Sequence, residues 1–149
     1  MAPIPHVVAS GIISALFLAY FRSVGYAAIC FLSGVLIDGD HIIDYYLNRG
    51  LTLNILKIYK CCLTNSLKKI YVILHSYELV LFLWAAIYIF GLSKFWQAIA
   101  VGMTQHILLD QIANPVTAFA YFFVYRAANG FDAGRILAIG KGRGFGAKR

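Results

Sequence analysis

Acidic side chains are scarce in this chain. Six Asp and Glu stand against thirteen Lys and Arg in 149 residues, and charged residues of both signs make up only 13%, about half the share of an ordinary soluble domain. With 61% of the residues apolar, that shortage excludes a disordered chain, a coiled coil and a typical soluble enzyme. Cysteine is equally sparse. Cys30, Cys61 and Cys62, an odd count with one adjacent pair, make neither a disulfide framework nor a thiolate metal motif. A His-Glu-x-x-His element is missing. Gly140, Gly142 and Gly144 lie in a basic tail with no strand before them and no helix after, so they are not a phosphate-binding loop. The first apolar run has no basic segment ahead of it and carries His6 at its head, so it is read as part of the mature fold rather than a signal peptide. No repeat or second domain is visible: residues 1–139 form one unit, followed by the tail at 140–149.

What the chain has in abundance is long apolar sequence. The run 7–21 contains no charge, and the run 72–90 is interrupted only by His75, Ser76 and Glu78. About 20 such residues span a bilayer core. A soluble bundle is the alternative, but there is too little polar sequence to wet its outside, and its helices would be apolar nearly all round. The expected fold is all-α: a polytopic transmembrane bundle of four to five helices. Helices are predicted over 6–21, 24–45, 69–90 and 94–113, the last broken by Asn114 and Pro115. Residues 116–125 form a shorter apolar segment that either crosses obliquely or stays half-inserted. In 51–70, Leu56, Tyr59, Leu63, Leu67 and Ile70 recur at helical spacing beside Lys57, Lys60 and Lys68, the pattern of an amphipathic helix lying in the interface; a solvated linker is the alternative.

The few polar residues are not scattered. Five of the six acids and all four histidines fall in or beside short clusters: His6; Asp38, Asp40, His41 and Asp44; His75 and Glu78; His106 and Asp110. If the predicted helices alternate in direction, all four clusters meet at one membrane level. His106 and Asp110 are i,i+4, as are Asp40 and Asp44, so each pair shares a helix face. Carboxylates at membrane depth are costly unless paired or bound to a cation, and no Lys or Arg is interleaved here. A divalent metal supplies the missing positive charge. Imidazole and carboxylate without thiolate suit zinc, with manganese or iron(II) as alternatives, and the number of candidates allows one or two ions.

The stretch Gly34-Val-Leu-Ile-Asp-Gly-Asp-His41, then His75-Ser76, then His106-Ile-Leu-Leu-Asp110, resembles the small membrane-bound metal-dependent hydrolases. Some bacterial members of that family are linked to the DNA-damage response, and the family is grouped distantly with zinc-dependent phospholipase C and P1-type nucleases. The likeness runs from His6 to about Thr117, with Ile37 standing where many members have proline. It implies that His6, Asp38, Asp40, His41, His75, His106 and Asp110 are metal ligands, and that the chain sits in a prokaryotic cytoplasmic membrane.

The function expected from these observations is hydrolysis of a membrane-associated phosphoester, lipid or polyprenyl in type. A metal-activated water would attack, with Asp44 or Glu78 taking its proton. The surplus of Lys and Arg suits anionic lipid headgroups rather than a specific nucleic acid. Two other functions fit the composition: a metal-ion or proton transporter, which needs polar residues continuing across the bilayer, and a scaffold protein with a structural metal.

Overall fold

The computed structural model describes residues 3–64 and 66–138; the basic tail predicted at 140–149 lies outside the described residues. Helix α1 (Pro3–Phe21) turns at Arg22, which adopts a positive φ of 51°, into α2 (Val24–Leu36), whose N-terminus Ser23 caps by accepting from the Tyr26 N–H. The single helix predicted over 24–45 is instead a helix with a fault in it. A 3-10 turn at Ile37–Gly39 separates α2 from α3 (Asp40–Arg49), and Gly50, at φ 82°, ends the run. Gly39, Asp38 and Asp40 are all poor helix formers, glycine for its backbone freedom and aspartate for its competing hydrogen bonds. The tight turn falls where they cluster.

Asn54 caps α4 (Ile55–Leu63) by accepting from the Lys57 N–H at 3.0 Å. This helix is shorter than the amphipathic stretch predicted over 51–70. The next difference is larger. Helix α5 begins only at Tyr77 and runs to Phe90 (Tyr77–Phe90), so residues 69–76, expected to be its first turns, are not helical. Side chains of α3 have captured their backbone. Asn48 brackets Lys69, accepting from its N–H and donating to its carbonyl. Asp44 takes the N–H groups of Tyr71 and Val72, and Asp40 takes that of Leu74. Ser76 then caps α5, and Gly91 closes it in the left-handed conformation that favours glycine.

Helix α6 (Lys94–Ala113) matches its prediction. The segment 116–125 does not form a span. It runs through turns into α7 (Phe123–Ala128) and α8 (Ala133–Ile136), folds back on the 69–76 loop through the isolated bridge Lys69 to Asp132, and closes on itself through the bridge Val116 to Leu137. No sheet forms among the described residues.

Helices α1, α2 and α6 pack side by side, with α5 against α6. Two glycines set the closest approach. A Cβ on Gly34 would stand 2.6 Å from the Gln105 amide and 3.2 Å from the Gly102 carbonyl, and one on Gly102 would strike Ser33 and the Cys30 carbonyl. Small residues let the two backbones touch, as in membrane helix pairs. The apolar core below them joins Ile37, Val80, Met103, Ile107, Ala120, Tyr121 and Ile136.

The outer surface is inverted relative to a soluble bundle. On α1 the buried stripe is His6, Ser10, Ser14 and Phe17, while Ile4, Val8, Ile12, Leu16 and Tyr20 are exposed. On α5, Leu81, Phe82, Ile89 and Phe90 are exposed in the same way. Two helical stretches among the described residues, Ile4–Phe21 and the joined run of α2, the 3-10 turn and α3 over Val24–Arg49, are long and apolar enough to cross a membrane. Helix α5 is apolar but has 14 residues, about 21 Å at 1.5 Å each, against the ~30 Å of a hydrocarbon core. Helix α6 has 20 residues but carries Gln97, Gln105, His106, Asp110 and Gln111. The architecture is therefore an all-α bundle with two helical stretches of spanning length among the described residues, fewer than the four to five expected.

Candidate metal centre

Five elements deliver side chains to one point. The 3-10 turn contributes Asp38, the first turn of α3 Asp40 and His41, the 69–76 loop His75, helix α6 His106 and Asp110, and α1 His6. All seven predicted ligands gather here. Around the centre, the Nε2 atoms of His75 and His106 lie 3.1 Å apart. Oδ1 of Asp38 lies 3.4 Å from the first and 3.3 Å from the second. Oδ2 of Asp110 lies 3.5 and 3.6 Å from the same two nitrogens. Donors about 2.0–2.1 Å from a zinc-sized ion in a tetrahedron are separated by about 3.3–3.4 Å. The five measured separations scatter around that value, so the four residues fit a divalent ion.

The hydrogen bonds behind the two imidazoles decide their tautomers. His106 Nδ1 lies 2.6 Å from the Gly34 carbonyl, which only accepts, so this nitrogen carries the proton. His75 Nδ1 lies 3.1 and 3.2 Å from the two oxygens of Asp40 and donates likewise. A neutral ring in this tautomer turns its lone pair inward at Nε2, toward the other ring's Nε2 and two carboxylates. Positive charge is needed in the middle, and either a bound cation or a proton on Nε2 supplies it. Acceptors behind ligand histidines orient the ring and raise its basicity, and the Gly34–Gly102 contact is what puts a main-chain acceptor there.

The other residues support this frame. His6 Nε2 lies 3.1 Å from Asp110 Oδ1, and its ring stacks on His106 at 4.0 Å. Asn114 donates to the same Asp110 oxygen at 2.7 Å. His6, Asp40, His75, His106 and Asp110 are buried, whereas the side chains of Asp38 and His41 are 36% and 35% exposed, with His41 Nε2 3.6 Å from Asp38 Oδ1. A second cluster able to hold an ion joins Asp40, His41 and His75.

The two expected proton acceptors are placed differently. Asp44 is buried, with both oxygens within 3.1 Å of the Tyr71 and Val72 N–H groups. Glu78 accepts from the N–H groups of Phe123 and Val124, at 2.8 and 3.0 Å, and from Ser76. Asp44 holds the His75 loop to α3, and Glu78 holds α7 to α5.

A cavity of about 570 Å³ reaches the centre, lined by Asp38 and His41, by Tyr121 and Arg126, and by apolar side chains including Ile58 and Val116. Arg126 was not anticipated from sequence. It is fully buried and donates to the carbonyls of His75 at 2.8 Å and of Ala120 and Val72 at 3.1 Å. Burial pulls its pKa down from the ordinary guanidinium value, and the charges of Glu78, Asp40 and Asp44 oppose that fall. Burial pushes the Tyr121 phenol up, and the neighbouring Asp110 charge adds to the rise, so it stays protonated. The one signal for Arg126 in sequence is a lone cation closing an apolar run, a placement that marks function in membrane proteins.

The buried Asp/His cluster is one capable of chelating a divalent ion and consistent with a catalytic metal site. No protein-family model, no curated protein and no solved structure matches the chain, so its assignment as a metal-binding protein rests on this geometry.

Proposed function

We propose that this chain is an integral membrane metal-dependent hydrolase, of the prokaryotic cytoplasmic membrane, cleaving a phosphoester of a lipid or polyprenyl-type substrate. The carrying observation is a set of four donor atoms, all within 4.8 Å of one another and five of their separations at 3.1–3.6 Å, with Asp38 half-open toward a largely apolar cavity. The exposed apolar stripes of α1 and α5 support the membrane placement, since a soluble protein rarely presents such continuous apolar patches.

His75, His106, Asp38 and Asp110 would hold the ion, with zinc best matched to their nitrogen and oxygen donors. When bound, a divalent ion supplies an activated water and positive charge for the phosphoryl oxygens. Asp40 and the Gly34 carbonyl keep the two imidazoles in the ligating tautomer. We assign proton transfer to His41 rather than to Asp44 or Glu78. It is partly exposed beside Asp38, whereas the oxygens of those two carboxylates are occupied by backbone N–H groups. The apolar cavity walls receive the substrate's hydrocarbon and exclude bulk water.

One observation favours a second reading. Four protein donors are enough to fill the shell of a structural zinc site. Purified protein separates the two. Near-stoichiometric zinc with chelator-sensitive turnover on a panel of lipid phosphoesters, lost in Asp38→Asn, supports the hydrolase. Tightly held metal with no turnover on any member of the panel leaves the structural site. Folded protein with no bound metal overturns both.

A further inference from the structure

Arg126 makes the 69–76 loop rigid, but its bonds leave part of the guanidinium unused. The group has five N–H donors. Three hydrogen bonds to carbonyls use Nη1 twice and Nη2 once. Nε is buried and has no partner. None of the ion pairs among the described residues involves Arg126. A buried charge that touches only carbonyl dipoles, with Glu78, Asp40 and Asp44 acting from beyond ion-pair distance, is costly, because the dipoles replace its hydration incompletely. The same guanidinium lines the 570 Å³ cavity, whose remaining walls are mostly apolar. Nε and Nη2 are neighbours on one edge of the group, the edge that receives two oxygens of an oxyanion in a bidentate pair.

We propose that Arg126 is the seat of an anionic phosphate headgroup, and that the cavity beside it takes the hydrocarbon attached to that headgroup. The need for an anion follows from the buried cation; its identity as phosphate rests on the hydrolase reading. Asp38 faces the same cavity and repels an anion unless a cation at the metal centre neutralises it. Headgroup binding is therefore stronger in metal-loaded protein than in stripped protein. Arg126 becomes a specificity-determining residue: it separates charged amphiphiles from neutral ones of the same chain length.

The test uses the full chain, zinc-loaded, in nanodiscs of zwitterionic lipid, titrated calorimetrically with hexyl phosphate, hexanol and inorganic phosphate against empty nanodiscs. Hexyl phosphate is expected to bind at least about tenfold more tightly than either of the other two, the scale of a charge-assisted hydrogen bond. In Arg126→Gln that preference disappears; in Arg126→Lys part of it returns. Retained zinc shows that the His75 loop is still in place in these variants. Should Arg126→Gln lose its zinc, Ile58→Trp decides. It enlarges a cavity wall that makes no hydrogen bond to the guanidinium and is expected to abolish the preference for hexyl phosphate over inorganic phosphate. Equal binding of hexanol and hexyl phosphate by the wild type overturns the proposal. So does an unchanged preference in Arg126→Gln with zinc retained, or in Ile58→Trp. Anion-selective binding without turnover of any phosphoester counts against the hydrolase alone. Turnover without that selectivity counts against Arg126 alone.

Discussion

The two sides of the metal centre are made of the same residue types and built in opposite ways. On the inner side, His75, His106 and Asp110 are buried, and each has a second partner behind it: Asp40, the Gly34 carbonyl, and His6 with Asn114. On the outer side, Asp38 and His41 are about one-third exposed, and their closest mutual approach is 3.6 Å. The inner side is fixed before any ligand arrives, and the outer side is left to respond to one. A fixed inner frame with a looser face toward a cavity suits a site that binds metal permanently and substrate transiently.

The contrast breaks most completely if the inner side is removed. His106→Ala takes away a central donor and leaves both a void and an unpaired Gly34 carbonyl. It is expected to abolish metal binding and to cost about 2–5 kcal/mol of stability, read as metal content by elemental analysis and as a lowered unfolding transition. Wild-type behaviour in both measurements would remove His106 from the centre.

Next in size is Asp44→Ala. Asp44 touches neither of the two central imidazoles, yet it holds the Tyr71 and Val72 N–H groups that fix the loop carrying His75. Each buried donor left without a partner costs about 1–3 kcal/mol, so a destabilisation in that range is expected. Exchange of the 71 and 72 amide hydrogens should quicken in step. Full stability with slow exchange would show that the loop is held by something else.

Asp40→Asn sharpens the comparison without dismantling it. The amide keeps the volume but gives up the charge that draws the His75 Nδ1 proton, and a loss of about 10–100-fold in metal affinity is expected. Competition with a fluorescent chelator measures it. An affinity unchanged within error would mean that the inner side owes its rigidity to packing alone.

These differences also explain what could be foreseen. Helix α6 was legible to the residue, because Ser93 and Pro115 bracket an apolar run in which His106 and Asp110 already share a face. The convergence of His6, Asp38, His75 and His106 followed from alternating helices, even though among the described residues two helical stretches have spanning length. Residues 69–76 misled. Ile70, Val72, Ile73 and Leu74 continue an apolar run with no Gly or Pro to stop it, and what unwinds them is a set of side chains more than 20 positions earlier, Asp40, Asp44 and Asn48. Local pattern carries no trace of such long-range capture. Arg126 was overlooked for the same reason: two of its three carbonyl partners, Val72 and His75, lie in that unforeseen loop.

The smallest structural effect is expected at the outer side. His41 is partly exposed, and its ring contributes no donor to the four-atom set around the inner histidines. In His41→Gln the stability should change by no more than about 0.5 kcal/mol, as for most surface substitutions, and zinc content should match the wild type. Turnover is where the change appears. If His41 takes the proton from the attacking water, removing its basicity should lower the rate by about 10²–10⁴-fold. With the headgroup seated on Arg126 as proposed, substrate binding should stay unchanged. The pH–rate profile should also lose its acidic limb, since glutamine does not titrate. A drop in zinc content parallel to the drop in rate would instead make His41 a ligand, joining Asp40 and His75 around a second ion, and the outer side would then be part of the frame.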